Sequence, residues 1–540
     1  MNIDRTFVAT AVRNALRWLV ALALLGSLLL GASAVAAVDA DLLLRGGTIY
    51  DGSGGEPVVG DVAVRGERIV AVGKFEVGTV GREIDCTGLI VAPGLIDLHT
   101  HTDGPIRRDA TRQNLNYLLQ GCTTVVTGNC GGGPADVAEF YAAVDRDGAG
   151  TNILHLVPHG SVRRAAMAGS HRRAPSPEEL EKLKALVDQG MRDGAWGMST
   201  GLIYAPSMYA DTAELIELAK VVAAHGGLYV SHIRDEADGL LKAVAEAIEI
   251  GRQANVDVHI SHFKVMGKPN WGLIRQAVTL IEQARDEGLQ ITADQYPYTA
   301  SSTGLSSTAL PDARIPGGRS NLAKRMAADP EFDQLVRELI AERLERSAKI
   351  VIASCKNHPE YSGKSIRQLA GEQGVDPVDL VLRLVQESSP SVVNHAMSEG
   401  DVRFAMTVPW VATASDGSAR VPVSGQSPHP RNFGTFPRKI GYYSMKENVL
   451  PLAQAIYTCT GLPAEILGLS DRGLLRTEWI ADVLVLDPAT FIDQATFEDP
   501  QQYSTGVRWL LLAGQPAIDD GRPSEKLYGR VLRHRCKLQQ

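Results

Sequence analysis

Long apolar runs are missing from this chain beyond residue 40, and so is any strong excess of charge. The first absence excludes membrane-spanning helices downstream of the N-terminus, because a span needs about 20 consecutive apolar residues. The second, a net charge of −8 with a pI near 5.9, argues against a nucleic-acid backbone as partner. Cysteine is scarce too, with six in 540 residues. What is present is apolar content sufficient for a large core, 44% of the chain, and a length that accommodates one large domain with smaller ones beside it.

The most informative segment is Leu95-Ile96-Asp97-Leu98-His99-Thr100-His101. Side chains two apart on a strand share a face, so a strand ending here aims both imidazoles at one point. By itself an HxH triplet is weak, and two surface histidines explain it equally well. Two later segments strengthen it: Gly227-Leu228-Tyr229-Val230-Ser231-His232 and Val256-Asp257-Val258-His259-Ile260-Ser261-His262 are both short β-rich runs that end in Ser-His. Between them, residues 239–253 carry Leu240, Leu241, Val244 and Ile248 on one stripe, predicting a helix and therefore a βα unit.

The same rhythm runs along the chain. Strand-like runs close at His101, Cys130, His159, Gly201, His232, His262 and Asp294, in steps of 29, 29, 42, 31, 30 and 32 residues, and an eighth, Trp410 to Gly417, contains Asp416. Eight strands with polar residues at their C-terminal ends predict an α/β fold of the (β/α)8 TIM-barrel type, with the chemistry on the loops after the strands. That geometry gathers His99, His101, Cys130, His232, His262 and Asp416 from more than 300 residues of sequence. Imidazole, thiolate and carboxylate are the donors zinc prefers. Each residue has an ordinary structural explanation alone, but six such coincidences at strand ends are far less economical than one metal site.

These residues sit in motifs that resemble the D-aminoacylase (N-acyl-D-amino-acid deacylase) family of the amidohydrolase superfamily: Ala92 to His101, Thr127-Gly128-Asn129-Cys130-Gly131, Ser231-His232-Ile233-Arg234, Ser261-His262-Phe263-Lys264, Tyr296-Pro297-Tyr298, Ala414-Ser415-Asp416-Gly417 and Pro428 to Pro437. The resemblance covers nearly everything after residue 40. It implies zinc-dependent hydrolysis of N-acyl-D-amino acids, with one metal held tightly by Cys130, His232 and His262. A second, weaker position is implied at His99, His101 and Asp416, sharing Cys130, with Asp416 as the proton shuttle. Family matching further suggests Lys264, Arg431, Tyr296 and Ser302 for the substrate's α-carboxylate, with Tyr204 as a weaker contact. A dipeptidase acting on D-amino-acid-containing or N-acyl dipeptides is the alternative with the same chemistry. Cyclic-amide hydrolases share the barrel and the HxH, but bridge two metals with a carboxylated lysine after the fourth strand. Here that stretch reads Gly197-Met198-Ser199-Thr200-Gly201-Leu202 and has no lysine. A non-catalytic paralogue would be expected to have lost ligands, and all six are present.

The resemblance also implies a small β-sandwich built from both chain ends, residues 37–94 and the later part of 436–540, flanking a barrel over 95–435. The gap of 122 residues between Asp294 and Asp416 is too long for a loop and predicts an inserted subdomain, about 303–400, forming a lid and wall of the pocket. It contains a charged helical stretch from Pro330 to Arg346 and a strand-like run from Ile350 to Ala353. At the N-terminus, Arg5, Arg13 and Arg17 precede an apolar stretch from Trp18 to Gly31 and small residues from Ala32 to Ala37. This is the pattern of a secretory signal peptide over 1–36, cleaved after Ala36, which predicts a secreted or periplasmic enzyme. A retained anchor is the alternative, since Trp18 to Ala37 is about a membrane thickness; no other membrane contact is expected. With Cys130 assigned to metal, five cysteines remain, an odd number that settles no pairing.

Overall fold

The computed structural model describes residues 37–169 and 171–535. The signal-peptide reading therefore lies outside the described residues. Eight parallel strands form the barrel: Leu95–Asp97, Cys122–Thr127, a third in two pieces (Asn152–His155 and Val157–Pro158), Gly197–Gly201, Leu228–His232, Asp257–Ile260, Ile291–Gln295 and Val411–Thr413. The third strand breaks at Leu156, its first piece pairing with the second strand and its second piece with the fourth. Closure comes from beyond the strand ends, where Thr100 bridges Gly417 in parallel sense, Asp416 N–H donates to the His99 carbonyl at 2.9 Å and His101 N–H to that of Gly417 at 2.7 Å. The eighth strand is thus held against the first at the level of the HxH.

Why these segments are strands follows from burial on both faces: Cys122–Thr127, Gly197–Gly201 and Leu228–His232 are buried throughout, as strands between a barrel interior and a ring of helices must be. One face packs Ile96, Val126, Leu154, Val230 and Ala412 into a cluster with Leu462 and Leu467. The helices cover the other, and Leu240–Ala254 buries Leu240, Val244, Ala247 and Ile248 as its stripe requires.

Both chain ends meet in one nine-stranded sheet. Its seam is the antiparallel pairing of Ile90–Pro93 with Val483–Leu486, which joins residues nearly 400 apart in sequence. The first strand, Val38–Ile49, pairs with Val77–Asp85 over its N-terminal part and with Ile90–Pro93 at its end, carrying the sheet around a core of Leu44, Val62, Val64, Ile84, Val483 and Val485.

Between the seventh and eighth barrel strands lies the insert. Ser301–Gly304, Ser391–His395 and Lys349–Ser354 make a three-stranded antiparallel sheet, backed by helices Pro330–Arg346, Ile366–Gln373 and Pro377–Glu387. It has a core of its own around Phe332, Val336, Ile340, Ile352, Leu380 and Leu384. No described helix is long and apolar enough to cross a membrane.

Candidate metal centre

Cys130 is the hub. Its Sγ lies 3.4 Å from His99 Nε2, 3.5 Å from His232 Nδ1 and 3.6 Å from His262 Nε2. Beside it, His101 Nε2 is 3.1 Å and His99 Nε2 is 3.6 Å from Asp416 Oδ1. Three groups of ligating side chains overlap here: His99 with Cys130 and His262, His99 with His101 and Asp416, and His232 with Glu236 and His262. Every candidate ligand from the sequence reaches this cluster. The fit to a soft divalent cation rests on the donors themselves: one thiol among three imidazoles, a carboxylate alongside, and a buried His232 Nε2 with no hydrogen-bond partner among the described residues.

The backbone is bent to achieve this. Cys130, His262 and Asp416 have φ of +52°, +36° and +50°, left-handed conformations that non-glycine residues adopt only where the surroundings enforce them. For Cys130 the enforcement is visible. The Ser199 hydroxyl accepts the Gly131 N–H at 3.0 Å and donates to the Gly128 carbonyl, pinning the loop to the fourth strand. At Gly201, ending that strand, a Cβ would stand 2.2 Å from the Cys130 carbonyl oxygen. The end of the fourth strand is thus pressed against the cysteine loop.

Two carboxylates orient the ligands from behind, and neither was among the residues singled out as site residues from sequence. Asp294, next to last in the seventh strand, accepts the His262 N–H at 2.7 Å, contacts His259 Nε2 at 2.9 Å and faces His99 Nδ1 at 3.6 Å. Glu236 is 2.9 Å from His262 Nδ1 and 3.9 Å from His232 Nε2. Asp294 marked the strand rhythm, and Glu236 stands four residues after His232; both positions were visible signals. A third acid, Asp97, accepts the N–H groups of His99 and Ser415, each at 3.0 Å, tying the first strand to the eighth; burial pushes its carboxyl up to about 7.

Burial and neighbouring charge set the protonation states. Burial pushes the His99 imidazole down to about 4 and His232 well below the ordinary range, leaving both neutral and available as ligands. Burial also opposes ionisation of Asp416, but Arg431 Nη1, 2.8 Å from its Oδ2, and the nearby imidazoles hold it well below the usual carboxylate range. The Cys130 thiol is pushed up by burial and by Asp416, so its thiolate needs a nearby cation.

All the site residues expected from sequence, except the fully buried His99, line one cavity of about 460 Å³. Lys264 Nζ is 2.6 Å from Glu236 Oε1 and 2.8 Å from His262 Nδ1, so the lysine is built into the ligand-orienting network. Arg431 stacks over the Tyr296 ring at 4.8 Å and donates to the Ser302 carbonyl at 3.3 Å. The Tyr204 hydroxyl meets Thr303 Oγ1 at 3.1 Å while its ring lies against His232, with centroids 5.1 Å apart. Thr303, Thr308, Arg343 and Asn394, from the segment between the seventh and eighth strands, also line this cavity.

A profile of the amidohydrolase family matches residues 82–294 and 401–518, leaving out the insert. The chain is 35% identical over 517 residues to a D-aminoacylase of Alcaligenes xylosoxydans xylosoxydans, covering 91% of this chain and 97% of that relative. It is 34% identical over 521 residues to the N-acyl-D-glutamate deacylase of the same organism, covering 92% and 97%. Among solved structures, the N-acyl-D-glutamate deacylase of Bordetella bronchiseptica, complexed with zinc and a phosphonate mimic of the tetrahedral intermediate, superposes with a TM-score of 0.79 at 33% identity, over 92% of this chain and all of that one.

Proposed function

The chain belongs to the amidohydrolase family, in the group of D-aminoacylases and N-acyl-D-amino-acid deacylases, and from that premise we propose that it is a zinc-dependent hydrolase of N-acyl-D-amino acids, releasing a carboxylic acid and a free D-amino acid. The observation that carries the reading is the Cys130 thiol within 3.6 Å of three imidazoles beside an ionised Asp416. Cys130, His232 and His262 would hold the tighter metal, and His99, His101 and Asp416 a second, weaker position. Bound there, zinc supplies a Lewis acid for the amide carbonyl and lowers the pKa of a water molecule. Asp416, steered by Arg431, takes the proton from the attacking water and returns it to the departing nitrogen, which an amide leaving group requires.

Lys264 and Arg431, with Tyr296 between them, form the cationic wall for the α-carboxylate, and Ser302 and Tyr204 complete it. Fixing the carboxylate on this wall and the amide at the metal leaves two directions at the α-carbon, which only one enantiomer fills correctly. The N-terminal basic residues, apolar stretch and Ala-rich segment support export, so the reading includes a periplasmic or secreted enzyme. The test is release of free amine from N-acetyl-D-amino acids, their L-enantiomers and D-containing dipeptides by the zinc-loaded enzyme. We expect the N-acetyl-D-amino acids to be hydrolysed fastest. Preference for the dipeptides would make it a dipeptidase, and preference for L-enantiomers would overturn the carboxylate wall.

A further inference from the structure

Several charged side chains in the cavity have no use in the chemistry above, and one of them lacks a carboxylate partner among the described residues. Arg343, on the insert helix Pro330–Arg346, lines the same cavity as Cys130, His262 and Asp416. Its guanidinium has no carboxylate within 4.0 Å among the described residues, and its buried Nε has no hydrogen-bond partner. The neighbouring cations are all matched: Arg314 pairs with Glu342 at 2.9 Å, and Arg346 with Asp238 at 2.6 Å and Glu342 at 2.8 Å. These pairs occupy the nearby acids. Asp235, the remaining acid whose charge reaches Arg343, spends one oxygen on the Ala237 N–H at 2.7 Å.

An arginine taken partly out of water without an anion is unfavourable unless a ligand supplies that anion. Near-equal identity to a D-aminoacylase and to an N-acyl-D-glutamate deacylase does not choose between neutral and acidic substrates; an unmatched arginine in the cavity wall does. Resting on the deacylase reading, we propose that Arg343 is a specificity-determining residue that binds a second carboxylate of the substrate, carried beyond its α-carboxylate. The substrate class is therefore a dianionic N-acyl-D-amino acid. The second carboxylate comes either from an acidic amino-acid side chain or from a dicarboxylic acyl group, and both present the same chemistry to a guanidinium.

The experiment compares kcat/KM of the full-length, zinc-loaded enzyme on N-acetyl-D-glutamate, N-succinyl-D-leucine and N-acetyl-D-leucine, in the native sequence and in Arg343→Met and Arg343→Lys. We expect at least one dianion to exceed N-acetyl-D-leucine by about tenfold or more, the value of a charge-assisted contact. Arg343→Met should erase that advantage without slowing N-acetyl-D-leucine, and Arg343→Lys should restore part of it. Which dianion is favoured identifies the source of the carboxylate. Calorimetric binding of N-acetyl-D-glutamate, N-succinyl-D-leucine and N-acetyl-D-leucine to the metal-free protein gives a second readout, with the same order expected. Faster turnover of N-acetyl-D-leucine than of both dianions, or an equal loss on all three in Arg343→Met, overturns the role of Arg343 and leaves the deacylase reading standing. Absence of turnover on every substrate overturns the deacylase reading instead, and tighter binding of a dianion would then still support the arginine's role.

Discussion

Glu236 stands 2.6 Å from Lys264, and the same carboxylate oxygen is 2.9 Å from His262 Nδ1. One buried acid therefore couples the cation proposed for the substrate's carboxylate to a proposed metal ligand. Burial opposes its charge, but Lys264 and the two imidazoles outweigh that and keep it strongly ionised. Its partner responds in kind: burial works against the lysine's charge, and Glu236 raises its pKa above the ordinary value.

Glu236→Gln keeps the shape and one acceptor while removing the charge. Carboxylates behind metal-bound histidines typically account for about 10- to 100-fold in metal affinity, so zinc should be lost to a chelator at correspondingly lower concentration. Unchanged affinity in a competition titration would show that His262 is oriented without it.

Lys264→Met should lower kcat/KM for N-acyl-D-amino acids by about tenfold or more, and by less for substrates with an amidated carboxylate. Because the lysine also neutralises Glu236, the variant leaves a buried acid without its closest cation, and part of the loss should appear as altered metal retention. Equal effects on free and amidated substrates, measured at full zinc occupancy, would remove Lys264 from carboxylate recognition.

Asp416→Asn should retain most of the zinc at the position assigned to Cys130, His232 and His262 but lose kcat by roughly a hundredfold or more, the range of general acid–base catalysis. A normal rate at full metal content would assign the proton to another group.

How much of this was legible beforehand depends on where each signal resides. The barrel was readable because parallel strands buried on both faces are short apolar runs that end abruptly in polar residues, as at Ser231-His232 and Ser261-His262. The insert helix was readable from its charge pattern, and its start is fixed by Asp329, whose side chain accepts the N–H groups of Glu331 and Phe332. The positions of Asp294, on the strand rhythm, and Glu236, four residues after His232, were visible, but their roles and that of Arg343 were not, since each is set by side chains from other elements. The break of the third strand at Leu156 also escaped, because the run Ile153 to Pro158 has the same apolar character on either side of it.

Gly201→Ala tests the close approach of the fourth strand to the cysteine loop. The added Cβ, 2.2 Å from the Cys130 carbonyl oxygen, would meet backbone on a loop already pinned by Ser199. Overpacking of this kind costs about 1–3 kcal/mol, and the displaced loop carries the shared thiol. Metal content and activity should fall together, with the fold retained by circular dichroism. Full zinc content in this variant would mean that the loop yields without moving its sulfur.

Lys439 offers a prediction about stability independent of the metal centre. It is fully buried, its Nζ has only the Met406 carbonyl at 3.5 Å, and no carboxylate among the described residues pairs with it. Burial, partly countered by Cys459, pushes its pKa down to about 8 from the ordinary 10.5. The folded state therefore releases this proton before the unfolded state does. Between about pH 8 and 10.5 the unfolded chain binds more protons, so this group makes stability rise with pH across that window; below it the penalty is constant, about 3 kcal/mol at the conversion of roughly 1.4 kcal/mol per pKa unit. Lys439→Met, of similar volume and without charge, should be more stable than the native protein at pH 7, and the advantage should shrink as the pH is raised to 10. Urea denaturation of the zinc-loaded proteins at the two pH values measures this directly. An advantage that is absent at pH 7, or the same at both, would mean that the lysine finds compensation for its charge inside the fold.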